Sequence, residues 1–242
     1  MIRLANLTKS YGRLTAVNNI SLEVQKGEVF GFLGPNGAGK TTTIKIMAGL
    51  LEPSAGTVEI AGWDIKTEPV KAKAATGFIP DRPFIYEKLT AFEFMHFVSR
   101  LYSMKDAKKR IFDLLQLFGI AEWQNELVEN FSHGMKQRLV MASALLHEPK
   151  VLVVDEPMVG LDPRGARLVK NIFRELASNG VTVFMSTHTL ETAEQMCHRV
   201  AIINKGEIIA TGSMGELGRM ARMLNSRLEP IFLKLTDGYD TL

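Results

Sequence analysis

Apolar residues in this chain gather in short runs, some alternating with polar ones and some unbroken. Met1–Thr8 alternates, and residues 20–25 and 57–61 have a similar texture, bounded by turns at Lys26-Gly27 and Ser54-Ala55-Gly56. Period-two patterning between turn residues predicts short strands at about 2–8, 20–25 and 57–61. Residues 28–33, 151–154, 181–185 and 199–203 are almost wholly apolar, which predicts strands buried on both faces. Thr76–Pro80 reads as another short strand, and Gly206–Gly212 as a hairpin partner near the end. Helical spacing follows residue 41, and helices are predicted at about 162–179 and 189–197. Strands alternating with helices imply an α/β fold with a parallel sheet flanked by helices.

The texture changes between residues 84 and 118, where Phe84, Tyr86, Phe92, Phe94, Phe97, Tyr102, Phe112 and Phe118 crowd together. The later part has helical spacing, with Leu114, Leu115, Leu117 and Phe118 drawn as one apolar face. Residues of about 84–147 are therefore read as a mostly helical insertion. The core segments around it are about 1–83 and 148–242, in a single domain spanning 1–242. No internal repeat at 20–50 residues and no splitting linker interrupts it.

Composition narrows the function classes. With 46% apolar residues in 242, a substantial core is available. A net charge of +3 and the lack of a basic run interleaved with aromatics argue against nucleic acid as a partner. Lys105, Lys108, Lys109 and Arg110 read as a solvated helix face. The single cysteine, Cys197, leaves no internal disulfide and fits a reducing compartment. No apolar stretch reaches the roughly 18 residues of a membrane span, and the start does not read as a signal peptide. The expectation is a cytoplasmic protein that reaches a membrane only through a partner.

The chemistry sits first at Gly34-Pro35-Asn36-Gly37-Ala38-Gly39-Lys40-Thr41, which fits G-x-x-x-x-G-K-[ST] between a buried strand and a helix that opens with Thr42. Backbone N–H groups of such a turn, together with the helix N-terminus, attract a triphosphate. Lys40 is placed to reach the β- and γ-phosphates and the Thr41 hydroxyl to bind Mg²⁺. A second element, Val151-Leu152-Val153-Val154-Asp155-Glu156, is an apolar strand ending in two acids. Ligands of α/β sheets bind beyond the carboxyl ends of strands. Asp155 is thus assigned to Mg²⁺ and Glu156 to polarising the attacking water as general base. Taken alone, that pair also reads as a strand-ending turn.

Phe131-Ser132-His133-Gly134-Met135-Lys136-Gln137-Arg138-Leu139 begins its serine 23 residues before Asp155 and resembles the signature loop of the ATP-binding cassette family, the nucleotide-hydrolysing subunits of membrane transporters. The resemblance covers essentially the whole chain. Tyr11 matches that family's adenine-stacking aromatic, though a packed strand-end aromatic is an equal reading of the residue itself. Gly160-Leu161-Asp162-Pro163 matches the loop communicating between two ATP sites, with Asp162 its acid, and Ser186-Thr187-His188 matches the switch histidine at the γ-phosphate. The resemblance implies a P-loop NTPase fold: a mixed, largely parallel sheet core, an N-terminal antiparallel β-subdomain and an inserted helical subdomain. It further implies two subunits paired head to tail, with Ser132, His133, Gly134 and Met135 of one capping the ATP of the other. Independently, Ser132 reads as the N-cap of a helix through Leu146.

Two positions depart from the family pattern. His133 stands where a glycine is common, and it implies ordinary helical backbone there. Asp81 stands where the family has a glutamine that touches Mg²⁺ or the attacking water; it is open to two readings, a water-mediated Mg²⁺ ligand or a plain turn residue ahead of Pro83. Phe84 and Tyr86 are the aromatics named as contacts for the integral membrane permease subunit. His96, His147, His198, Cys197, Trp63 and Trp123 are assigned to packing. The function expected is an ATPase powering a membrane transporter of exporter type, with ATP and Mg²⁺ as cofactors and a second copy or homologous ATPase as partner. The alternative is a cassette ATPase remodelling a soluble or nucleic-acid assembly, and a third reading is a binder that does not turn ATP over.

Overall fold

The structure, a computed structural model, describes residues 1–223 and 226–240. A long antiparallel pair opens it, β1 (Ile2–Tyr11) and β2 (Leu14–Val24). Next come β3 (Val29–Leu33), α1 (Lys40–Met47), β4 (Ala55–Ile60), β5 (Trp63–Asp64), α2 (Pro69–Ala74) and β6 (Thr76–Ile79). Three helices follow in succession, α3 (Ala91–Leu101), α4 (Lys108–Leu117) and α5 (His133–Ala144). The chain then alternates through β7 (Val151–Asp155), α6 (Pro163–Ser178), β8 (Thr182–Thr187), α7 (Leu190–Met196), β9 (Arg199–Asn204) and β10 (Glu207–Gly212), and ends on α8 (Met214–Met220) and α9 (Leu228–Asp240). Among the described residues, no helix is long and apolar enough to cross a membrane.

Two sheets organise these elements. One is antiparallel, in the order β2-β1-β4-β5; the other runs β10-β9-β3-β8-β7-β6, parallel except for β10 at its edge. The unbroken apolar runs are explained by two-sided burial. In β7, Val151 and Val153 face one core, and Leu152 and Val154 face the other; β8 splits the same way, Phe184 against Val183 and Met185. The first core lies between the two sheets and takes in Ile44, Ile46 and Met47 of α1. The second joins the opposite sheet face to α3–α7. Burying such chains at roughly 25 cal/mol per Å² of apolar area is the main drive to this arrangement.

Local differences from the pattern reading have plain causes. Strand β2 begins at Leu14 rather than near residue 20, because its first half has one wet face: Thr15, Asn18 and Asn19 are exposed and break the apolar signal. Leu117 does not share the apolar face of α4. Ile111, Leu114, Leu115 and Phe118 form the i, i+3, i+4, i+7 stripe, and Leu117 is rotated off it and 41% exposed. Among the clustered aromatics, Phe94 and Phe118 are buried in the core, whereas Phe84 and Tyr86 are open at 81% and 61%. The residues assigned to packing find partners: His198 Nδ1 accepts from the Val29 amide at 2.9 Å, His147 stacks on Tyr102, and Lys71 lies over the Trp63 ring. Trp123 instead is 40% exposed. Burial pushes the Cys197 thiol up to about 12, leaving an inert small hydrophobe.

Candidate functional site: a nucleotide cleft at the strand ends

The carboxyl ends of β3, β6, β7 and β8 open side by side, since these strands are parallel and nearly adjacent. β3 delivers the glycine-rich turn, β6 delivers Asp81, β7 delivers Asp155 and Glu156, and β8 delivers His188. Together they line a cleft of about 330 Å³, with Asn36, Gly37, Gly39, Lys40, Thr41 and Thr42 along one wall and Asp81, Asp155, Glu156 and His188 along the other. Residues as far apart in the chain as Asn36 and His188 thus meet because the sheet register puts them there.

The turn holds its shape through its own backbone and Lys40. Ala38 N donates to Pro35 O at 3.2 Å, and the buried Lys40 ammonium donates to Gly34 O at 2.6 Å and Pro35 O at 3.1 Å. Gly39 caps α1 at φ 106°, and a Cβ there would stand 2.4 Å from Ala16 O of β2. Only glycine meets both demands. Ala16 also lines the cleft, a contribution sequence reasoning missed because it depends on a long-range approach of β2 to the turn.

Across the cleft, Ser186 is the second residue that sequence reasoning undervalued. It pairs with Asp155 in the β7–β8 register, donates to Asp155 Oδ1 at 2.5 Å and accepts from the Glu156 amide at 3.1 Å. The Thr41 hydroxyl hydrogen-bonds Asp155 as well, joining the two walls. Burial raises the Asp155 pKa, opposed by the Ser186 and Thr41 hydrogen bonds and reinforced by the nearby Asp81 and Glu156 charges. Burial also lowers the Lys40 pKa, against the pull of Glu156 and Asp155. Glu156 holds a left-handed backbone, φ 49°, which turns its side chain toward His188. His188 Nδ1 lies 2.9 Å from Glu156 Oε1, and the His188 amide donates to Oε2 at 3.4 Å. A carboxylate oxygen accepts, so this contact is a hydrogen bond in the tautomer that places the proton on Nδ1.

Other predicted residues lie outside the cleft. Tyr11 stands at the β1–β2 turn, half exposed, with Lys9 Nζ 5.3 Å from its ring centre. Ser132 is the N-cap of α5, its hydroxyl accepting from Met135 N at 3.2 Å. His133 is in the first helical turn with ordinary backbone, and its ring lies against the loop after Glu156: a Cβ on Gly160 would fall 2.2 Å from His133 Cδ2. Asp162 caps α6, accepting from Gly165 N at 2.7 Å. Ser132, His133 and Asp162 are exposed, and none of them lines the protomer's own cleft.

Comparison with known proteins fits this geometry. The family model described as ABC transporter matches residues 17–159. The linearmycin resistance ATP-binding protein of Bacillus subtilis is 39% identical over 219 residues, covering 90% of this chain and 70% of the relative. The chain belongs to the ABC transporter family. It is an ATP-binding, ATP-hydrolysing cassette of the exporter-type branch. The daunorubicin/doxorubicin resistance ATP-binding protein of Streptomyces peucetius is 38% identical, over 89% of this chain and 66% of that protein. An ATP-binding subunit of an ABC transporter superposes at TM-score 0.92 and 30% identity, covering 98% and 99% of the two chains. A cassette crystallised as a dimer after hydrolysis, with ADP and Pi bound, superposes at 0.82 and 26% identity over 88% of this chain and 99% of that one.

Proposed function

We propose that this cassette binds Mg²⁺-ATP in the strand-end cleft, pairs head to tail with a second cassette around it, and drives export through a permease. The observation that carries this reading is the split between the two anion sites. The glycine-rich turn and the acids share one cleft, whereas the Ser132 helix start is exposed and lines no part of it. A helix N-terminus with a free face suits the γ-phosphate held by another subunit. Bound ATP then stabilises the pair by mass action, and hydrolysis releases it.

In this mechanism the glycine-rich turn and Lys40 hold the phosphates, and Tyr11 supplies a face for adenine. The donor set at the opposite wall fits Mg²⁺, which takes one or two carboxylates and leaves its remaining positions to phosphate and water. Thr41 and Asp155 would hold it, with Asp81 acting through water; the ion would neutralise charge on the transferred phosphoryl group. Glu156 accepts the proton of the attacking water, and its bond to His188 fixes the carboxylate's direction. Ser186 fixes Asp155 in turn. Asp162, one loop beyond Glu156, faces the partner subunit.

The cargo belongs to the permease, which docks at the exposed Phe84 and Tyr86 and brings the cassette to the inner face of the cell membrane. Drug-like or antibiotic molecules are the expected class, by likeness to the two resistance proteins. Light scattering with Glu156→Gln and Mg²⁺-ATP tests the reading. A stable dimer that dissociates when ATP is removed is expected, and a protein that stays monomeric at saturating ATP would overturn it.

A further inference from the structure

The segment from Asp81 to Thr90 starts in the nucleotide cleft and ends at the N-cap of α3, where Thr90 and Glu93 form a reciprocal capping pair. Its middle carries the exposed Phe84 and Tyr86, and its far end is bound to the chain just ahead of the Ser132 turn. Glu129 N donates to Glu87 O at 3.0 Å and Val128 N to Leu89 O at 2.9 Å. Two crossed ion pairs reinforce this: Lys88 Nζ to Glu129 Oε2 at 2.6 Å, and Lys136 Nζ to Glu87 Oε1 at 2.5 Å. The second reaches α5 itself. Lys136 N donates to Ser132 O at 2.9 Å, so Lys136 lies one turn above the N-cap on the same face. Helix α5 has no acid in its own first turn, and Glu87 brings one from outside. The Lys136 hydrogen bond holds the Glu87 carboxyl below its usual range.

Solvent-exposed ion pairs add little to stability. The geometry points to a different use: we propose that Glu87 is a positioning residue, which acts through Lys136 to set the direction of the Ser132 turn and passes movements of the Asp81–Tyr86 segment to it. This rests on the reading of Ser132 as the contact to the partner's ATP. Nucleotide arrival at Asp81, or pressure on Phe84 and Tyr86, displaces a segment that is tied at both ends. The displacement reaches the helix start through a short charged bond rather than through a soft apolar contact.

A charge-swap series on the full chain tests this, with phosphate release followed against ATP concentration and melting followed without nucleotide. Glu87→Lys and Lys136→Glu should each raise the half-maximal ATP concentration about fivefold, with kcat within roughly twofold and melting unmoved. The double swap should return the ATP dependence to within about twofold of the wild type. Lys88→Glu, which breaks the neighbouring pair, should change it by less than about twofold. Unchanged single variants, a double variant worse than either single, or losses that track a fall in melting temperature would each overturn the proposal. A wild type that neither hydrolyses ATP nor pairs would overturn the function reading and this inference together; an active wild type with indifferent variants overturns the inference alone.

Discussion

The strand-end cleft and the α5 helix start are the two places proposed to meet phosphate, yet they differ in almost every physical respect. The cleft is assembled from buried strand ends in fixed register, with Lys40 and Asp155 almost fully enclosed and both Asp155 and Glu156 tied to a neighbour. The helix start is exposed and held by its own cap and by the Glu87–Lys136 ion pair. In the proposed pair, one holds the chain's own nucleotide and the other meets the nucleotide of a second chain. The proposed chemistry therefore sits where the sheet is buried, and the proposed assembly contact sits where the fold is open.

That contrast is broken most severely by separating turnover from pairing. Removing the base in Glu156→Gln should cut phosphate release about a thousandfold while the ATP-held pair persists, read by a phosphate assay beside size-exclusion chromatography. Ser132→Ala should do the converse, raising the ATP needed for pairing about tenfold, with ATP binding by the monomer within about twofold when followed by calorimetry. A smaller effect sharpens the buried side. Because burial raises the Asp155 pKa above its unfolded value, the native state binds that proton more readily. Wild-type stability should then fall as pH rises from the ordinary aspartate range through the raised native value. Asp155→Asn lacks this fall, so its stability in urea titration should not decline across that pH range, although the protein is inactive. Smallest is His133→Gly, which removes the ring from Gly160; a change of about twofold in the ATP dependence of pairing is expected, and complete indifference would remove His133 from the interface.

Most of the fold was legible because two-sided burial writes itself as unbroken apolar runs, and parallel β3, β7 and β8 are of this kind. The cleft was legible because the Gly34–Thr41 turn and the Asp155–Glu156 strand end follow from short-range chemistry. Ser186 and Ala16 were not singled out, since their roles arise from which strand lies beside which, and that register is absent from local pattern. Leu117 was drawn into the wrong stripe because four apolar residues within five positions leave the helical face ambiguous until packing selects Ile111 as its start.

Glu156 has a backbone conformation in which a glycine would sit without strain, as glycine does at eleven other positions where φ is positive. Keeping a carboxylate there costs on the order of 1 kcal/mol of folding free energy. A chain selected for durability alone would drift to glycine at 156 and gain a sturdier, silent protein. Among the described residues, eight other non-glycine residues share a positive φ; at 156 the strain falls on the residue proposed as the base, where robustness is forgone for reactivity.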